Sequence, residues 1–142
     1  MDKKKEKDYW KNFILIMISI LIFTKDRNKD LEELLKSLNL KKMNLIYEII
    51  IIDNSENYSA KKISKLLDIK YFHTSFKKLS SVFNFGWKKC KYENILFLAD
   101  DVTLSPNWFT NSIHYFENSN YDILGGPIIS SSYPAGLMHK LY

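Results

Sequence analysis

One short stretch, residues 94–101, constrains the fold more than any other. Five apolar residues in succession, 95–99, end abruptly in the carboxylates Asp100 and Asp101. A run of this length is too short for a typical helix and is typical of a strand buried on both faces of a sheet. The two acids would then lie at the carboxyl end of that strand, where open α/β sheets bind their ligands. Adjacent carboxylates on a rigid strand end suit a hard cation such as Mg²⁺ or Mn²⁺.

The rest of the chain alternates between strand-like and helix-like patterns. Besides 94–99, short apolar segments predict four strands, at 13–23, 46–52, 69–72 and 121–124. Between and after them, apolar residues at helical spacing predict helices, the first of which carries Leu31, Leu34, Leu35 and Leu38. Strands that alternate with helices imply right-handed crossovers. The sequence therefore predicts an α/β fold with a mainly parallel sheet flanked by helices.

Capping residues predict where three of the helices begin. Asp30 and Ser59 are placed to cap the first and second helices, and Ser59 would precede an apolar face of Ile63, Leu66 and Leu67. Ser105 and Pro106 have the order expected of a cap and a first helical residue, ahead of Phe109, Ile113 and Phe116.

Length and hydropathy indicate one domain. With 142 residues, of which 46% are hydrophobic, the chain can bury one core, which we place at 13–142 after a lysine-rich segment at 1–12. The apolar run at 13–23 is shorter than the roughly 20 residues of a membrane span. No small-residue cleavage site follows it, so a buried strand is favoured over a signal peptide.

Charge and cysteine content limit the partners and the compartment. The net charge of +5 suits an anionic ligand, but the lysines are scattered, so nucleic acid is not expected as a partner. The single cysteine, Cys90, excludes an internal disulfide and is typical of a reducing compartment. We expect a cytoplasmic protein that can contact a membrane peripherally through its lysine-rich start.

Polar residues follow three of the predicted strands. The first strand runs into residues 24–27, the second into 53–55, and the fourth into Asp100 and Asp101. Because parallel strands end at one edge of a sheet, these residues should gather there. Carboxylates with a bound metal can neutralise a diphosphate, and Lys25 or Arg27 can add charge-assisted contacts. The plainer interpretation of each motif alone is a turn at a strand end.

Taken together, these motifs resemble glycosyltransferase family 2, whose members have the GT-A fold. The resemblance rests on ILIFTKDR at 20–27, EIIIIDNS at 48–55, NFG at 84–86, and ILFLADD at 95–101 followed by PNW at 106–108. It covers residues 17 to 128, in the family's order and approximate spacing. It implies the amino-terminal, nucleotide-sugar-binding part of a GT-A domain, apparently truncated.

The resemblance also implies a role for each matching residue. Thr24 and Arg27 would lie at the nucleotide, Asp53 would bind the uracil or other base, and Asp100 would approach the ribose. Asp101 would ligate a Mg²⁺ or Mn²⁺ ion that bridges the diphosphate of the donor, most simply a UDP-sugar. The implied activity is metal-dependent transfer of a sugar to a hydroxyl of a glycan, a lipid or another acceptor.

The sequence also departs from the family pattern. Ala99 stands where an acid is common, and Phe83 stands where an arginine often precedes the asparagine. The family's acceptor-binding half and its general base normally lie beyond the length of this chain. After Asp101 the only acids are Glu117 and Asp122, and neither is placed to take a proton from an acceptor.

Two other function classes stay open beside the enzyme. One is a noncatalytic nucleotide-binding or nucleotide-sugar-binding module that lacks the acceptor half and the general base. The other is a nucleotidyltransferase, which also uses acidic strand ends with a metal. A nucleotidyltransferase would carry a glycine-rich loop after the first strand, and residues 23–29 contain no glycine.

Overall fold

A computed structural model describes residues 17–38, 46–118, 120 and 122–126 of the chain. The chain divides into two compact units, Met1–Pro106 and Asn107–Tyr142. The lysine-rich segment at 1–12 and the first four residues of the strand predicted at 13–23 lie outside the described residues.

The first unit contains four strands that alternate with three helices. They are β1 (Met17–Thr24), α1 (Asn28–Ser37), β2 (Ile46–Asp53), α2 (Lys61–Leu66), β3 (Lys70–His73), α3 (Leu79–Trp87) and β4 (Asn94–Ala99).

All four strands form one parallel sheet in the order β3-β2-β1-β4. The chain therefore moves in one direction from β1 to β3 and then crosses back to β4. Right-handed crossovers place α1 and α2 on one face of such a sheet and α3 on the other. The predicted parallel α/β architecture is confirmed.

The core is centred on β1 and β2. Leu21, Ile50 and Ile52 are completely buried and form a cluster with Val82 of α3. Gly86 lets α3 approach this face closely, since a Cβ atom there would lie 3.1 Å from Ile52 Cγ1 and from Phe23 Cε1. Ile20, Ile22 and Ile51, also fully buried, alternate with these residues along β1 and β2 and so point to the other face.

The prediction that the strand at 94–99 is buried on both faces is wrong. β4 is an edge strand of the described sheet, and the side chain of Phe97 is 51% exposed. Leu98 is buried, whereas Phe97 is held at the surface by ring contacts with Phe23 and Phe83. An apolar run does not distinguish a central strand from an edge strand that carries an aromatic cluster.

The three predicted helix caps are displaced by one to three residues from those in the structure. α1 begins at Asn28 with Arg27 as its cap, so Asp30 lies in the first turn. Ala60, and not Ser59, caps α2, because the Ser59 hydroxyl donates to Ser55 Oγ instead. Of the predicted face of α2, Ile63 is buried but Leu66 and Leu67 are exposed.

The second unit contains the helix α4 (Trp108–Glu117), whose cap is Asn107. Ser105 and Pro106 therefore precede this helix instead of starting it. Phe109 and Ile113 are buried as predicted, and Phe116 is 37% exposed. No strand forms over the described residues 122–124, so the predicted fifth strand is wrong there, and Tyr121 lies outside the described part.

Within the described ranges, no helix has both the length and the apolar character needed to cross a membrane.

Candidate functional site

The parallel register brings the ends of β1 and β4 together. Phe23 of β1 pairs with Ala99 of β4, so the next residues, Thr24 and Asp100, are neighbours at the carboxyl edge of the sheet. The Thr24 hydroxyl donates a hydrogen bond of 2.8 Å to Asp100 Oδ2. Both side chains are buried, with exposures of 4% and 5%. Thr24 therefore fixes the orientation of the Asp100 carboxylate.

Arg27 connects the loop after β1 to both acids that follow β4. Asp26 turns this loop with a left-handed backbone, φ 57°, and Arg27 then caps α1. The Arg27 Nη1 atom lies 2.6 Å from Asp101 Oδ2 and 3.5 Å from Asp100 Oδ1. The hydrogen bond to Asp101 and the negative charge of Asp100 raise the pKa of Arg27 above its usual value.

Asp53 ends β2 beneath the surface of the same edge. Its side chain is completely buried, and both of its carboxylate oxygens accept hydrogen bonds. Oδ1 accepts from the backbone N–H and the hydroxyl of Ser55, while Oδ2 accepts from the N–H of Ala60 and from the Tyr71 hydroxyl. Burial alone would raise the pKa of Asp53, but these hydrogen bonds outweigh it and lower that pKa below its ordinary value.

The loop after β3 lies at the same edge, although no motif in the sequence had indicated it. The Thr74 N–H donates to the Asp53 carbonyl at 2.8 Å, and the Thr74 hydroxyl donates to Asn54 Oδ1. The Asn54 amide in turn donates to the Phe76 carbonyl at 3.0 Å. The rule that places ligands at parallel strand ends applies to β3 as it does to β1, β2 and β4, and it identifies residues 74–76.

Further contacts connect the loop after β2 with the end of β3. His73 Nε2 lies 2.6 Å from the Ser55 carbonyl, and the His73 ring stacks on Tyr58 with a centroid separation of 3.8 Å. These contacts, together with the hydrogen bonds to Asp53, hold the loop after β2 against the end of β3.

An open cleft of about 1040 Å³ runs along this edge of the sheet. This volume is close to the upper limit for small-molecule sites, which are mostly apolar with a few placed polar groups. Its polar lining includes Thr24, Lys25, Arg27, Asn54, Glu56, Thr74 and Asp100. Its apolar lining includes Phe23, Phe76, Leu79, Phe83, Phe97 and Leu98. The cleft thus offers cationic and hydrogen-bonding groups beside an aromatic wall.

The protein alone supplies only part of the set of ligands that a divalent cation needs at this edge. Across the described ranges, no three histidine, cysteine or acidic side chains converge in a way that could hold a metal ion. Mg²⁺ sites that also bind phosphate need only one or two carboxylates, because phosphate oxygens and water complete the shell. Asp101 is half exposed and adjoins Asp100, so this pair fits a cation that is shared with a phosphate ligand.

The structure therefore brings together four of the five residues singled out from the sequence. Thr24, Arg27, Asp100 and Asp101 form one connected group, which confirms the predicted clustering. Asp53 lies at the same edge, where Thr24 and Asp53 are paired in register and the Asn54 N–H donates to the Thr24 carbonyl. Asp53 itself contacts residues of the β2 and β3 loops. The ligand roles of all five residues remain predictions.

Residues 19–142 match the family described as glycosyl transferase family 2. This range contains the whole described sheet except its first two positions, together with all five residues discussed above. Comparison with curated protein sequences finds no significant match.

Solved structures of S. aureus TarS share the fold. The crystal structure of TarS 1-349 gives a TM-score of 0.59 at 18% identity, covering 71% of this chain and 32% of that chain. The complex of TarS 1-349 with UDP-GlcNAc gives a TM-score of 0.55 at 18% identity, covering 71% of this chain and 31% of that chain. This chain thus spans about a third of these TarS chains.

Proposed function

Because the chain belongs to glycosyl transferase family 2, we propose that its carboxyl-edge cleft binds the donor of a glycosyl transfer reaction. The donor we propose is a nucleotide-diphosphate sugar, specifically a UDP-sugar. The reaction we propose is metal-dependent transfer of the sugar to a hydroxyl of a glycan, a lipid or another acceptor. The observation that carries this proposal is the connected group of Thr24, Arg27, Asp100 and Asp101 at the edge of the cleft.

Each member of that group has a proposed task. Asp101, beside Asp100, would hold a Mg²⁺ or Mn²⁺ ion together with diphosphate oxygens. Such an ion supplies positive charge that stabilises the nucleoside diphosphate as it leaves. Arg27 can contribute a planar guanidinium to the same phosphates, a geometry suited to paired hydrogen bonds. Thr24 keeps the Asp100 carboxylate in place through its 2.8 Å hydrogen bond.

The nucleoside would occupy the part of the cleft that is lined by the loops after β2 and β3. Asn54, Thr74 and Phe76 lie there and are connected by hydrogen bonds. A UDP-sugar as the donor is supported by the TarS neighbour, whose structure is a complex with UDP-GlcNAc.

A second candidate function is binding of the nucleotide-sugar without turnover. Transfer with inversion needs a base to take the proton of the attacking hydroxyl. We assign no residue of this chain to that task. The chain also spans only about a third of the TarS chains that share its fold. Release of UDP from UDP-GlcNAc by the 142-residue chain would favour the enzyme, and binding without release would favour the module.

The proposed site predicts that UDP binding depends on a divalent cation and on Asp101. Calorimetric titration of UDP into the chain should give at least about tenfold tighter binding with Mn²⁺ than without it, which is about 1.4 kcal/mol. Asp101→Asn, which keeps the shape of the side chain but removes its charge, should abolish this gain. Asp68→Asn is a matched control, since Asp68 is exposed and does not line the cleft.

The control variant should retain the full effect of Mn²⁺. Equal UDP affinity with and without Mn²⁺ would contradict the metal-dependent part of the proposal. Absence of UDP binding under both conditions would contradict the donor site itself.

A further inference from the structure

We propose that Arg27 is a tethered counter-ion that occupies Asp101 in the ligand-free chain and must leave it before a divalent cation can bind there. The inference rests on the proposed function, because it concerns the same metal site. It adds a task for Arg27 that precedes contact with the donor, which is to keep that site closed.

The geometry places one nitrogen atom between two acids. Arg27 Nη1 lies 2.6 Å from Asp101 Oδ2, a short charge-assisted hydrogen bond, and 3.5 Å from Asp100 Oδ1. Asp101 Oδ2 is therefore already bound by the guanidinium cation of Arg27. The other partner of the pair, Asp100, is held by the Thr24 hydroxyl and cannot turn away freely.

Charge strengthens this steric argument. Two carboxylates attract a divalent cation, but the guanidinium cancels half of their negative charge and adds repulsion at close range. Removal of the Arg27 charge should therefore make the ligand-free carboxylates a better cation site. Arg27 cannot lose its charge by deprotonation at neutral pH, so it opens the site only by moving.

Arg27 is positioned to move. Its side chain is 52% exposed, as is that of Asp101, so the ion pair is not locked by surrounding atoms. It lies in the cleft where phosphate groups would bind, and a guanidinium pairs well with phosphate oxygens. An incoming diphosphate would offer Arg27 a new partner at the moment when Asp101 must become available to the cation.

The test measures binding of Mn²⁺ alone to the ligand-free 142-residue chain, by electron paramagnetic resonance of the unbound ion. Arg27→Gln removes the charge and should bind Mn²⁺ about tenfold more tightly than the unchanged chain. Lys29→Gln is the matched control, because it removes one positive charge two residues along the chain from Arg27. Lys29 is exposed, does not line the cleft and makes no ion pair with either acid in the described structure. This control should change the Mn²⁺ affinity by no more than about twofold.

Two further variants make every outcome decisive. Arg27→Lys should restore weak Mn²⁺ binding, and Arg27→Gln combined with Asp101→Asn should lose the gained affinity. Equal Mn²⁺ affinity of the unchanged chain and Arg27→Gln would overturn the inference and leave the proposed metal site intact. Absence of Mn²⁺ binding in both, alone and with UDP, would overturn the inference together with the metal dependence proposed above. Thermal unfolding of each variant checks that it is folded.

Discussion

Asp53 connects several segments of the chain at the carboxyl edge of the sheet through one buried carboxylate. The carboxylate is completely buried, and four donors from Ser55, Ala60 and Tyr71 use both of its oxygens. The Tyr71 hydroxyl is part of this arrangement, since burial and the hydrogen bond to Asp53 raise the pKa of Tyr71 strongly. Asp53 therefore holds the loop after β2, which lines the cleft, against strand β3.

We predict that Asp53→Asn destabilises the fold by about 3 kcal/mol, because an amide nitrogen cannot accept the two hydrogen bonds made to one carboxylate oxygen. Tyr71→Phe, which removes a single donor, should cost about 1 kcal/mol. Urea unfolding of the two variants measures both values. A loss for Asp53→Asn no larger than that for Tyr71→Phe would contradict the claim that both carboxylate oxygens of Asp53 make stabilising hydrogen bonds.

At the scale of residues, the sequence predicted which side chains gather better than it predicted their contacts. The motif pattern singles out Thr24, Arg27, Asp100 and Asp101, because they follow predicted strands whose ends share one edge. It cannot predict that Arg27 pairs with Asp101, because that contact depends on the left-handed turn at Asp26 and on the register of β1 with β4. Tyr71 was missed because a tyrosine within a strand carries no distinctive signal.

At the scale of elements, Glu48 ties three strands and a loop together near the edge opposite the cleft. Its carboxylate lies on β2 and accepts hydrogen bonds from Ser19 of β1 at 2.6 Å and from the backbone N–H of Lys91. It also forms an ion pair with Lys70 of β3. Glu48, which interrupts an apolar strand, thus has a side chain that is only 8% exposed and that connects these segments.

The hydrogen bonds to Glu48 predict how the stability of the fold depends on pH. Burial alone would raise the pKa of Glu48, but hydrogen bonds from Lys70, Ser19 and Lys91 together lower it below the ordinary 4.5. A carboxyl with a lowered pKa stabilises the folded state fully above its unfolded pKa, and this contribution is lost as the pH falls through the folded value. The unchanged chain should therefore lose stability as the pH falls from about 6 to about 3.

Glu48→Gln should be less stable at neutral pH by about 1–3 kcal/mol, since it loses the charged hydrogen bonds. Its stability should also fall less steeply with acidification, because residue 48 no longer titrates. Urea unfolding across the pH range compares the two slopes. Parallel slopes for Glu48→Gln and the unchanged chain would contradict the assignment of this pH dependence to Glu48.

The sequence predicted the order of the elements but not their ends. The spacing of apolar residues along the sequence distinguishes β1 to β4 from the helices. Burial on a sheet and burial on one face of a helix require different spacings of these residues. Helix starts depend on local competition for the capping group, as the Ser59 hydroxyl shows by bonding to Ser55. Gly86 illustrates a second limit, because its role in close packing of α3 on β1 depends on tertiary contacts.

At the scale of the whole molecule, the parallel topology accounts for the cleft. Because all four strands run in one direction, their carboxyl ends supply Thr24, Asn54, Thr74 and Asp100 to one lining. This convergence was predictable from the alternation of strands and helices. The strand order was not, which is why the sequence placed the acidic strand in the interior while the structure places it at an edge of the described sheet.

We propose that a nucleotide and a divalent cation bind at the carboxyl edge of the sheet. Paramagnetic broadening by Mn²⁺ in the presence of UDP, measured on the backbone amide signals, tests it most directly, with Mg²⁺ as the diamagnetic control. We predict strong broadening at Thr24, Arg27 and Asp100. Signals of Met17 and Asn94, which begin β1 and β4 roughly 20 Å along each strand from Thr24 and Asp100, should persist. Broadening centred on the opposite edge, or no selective broadening, would contradict the account.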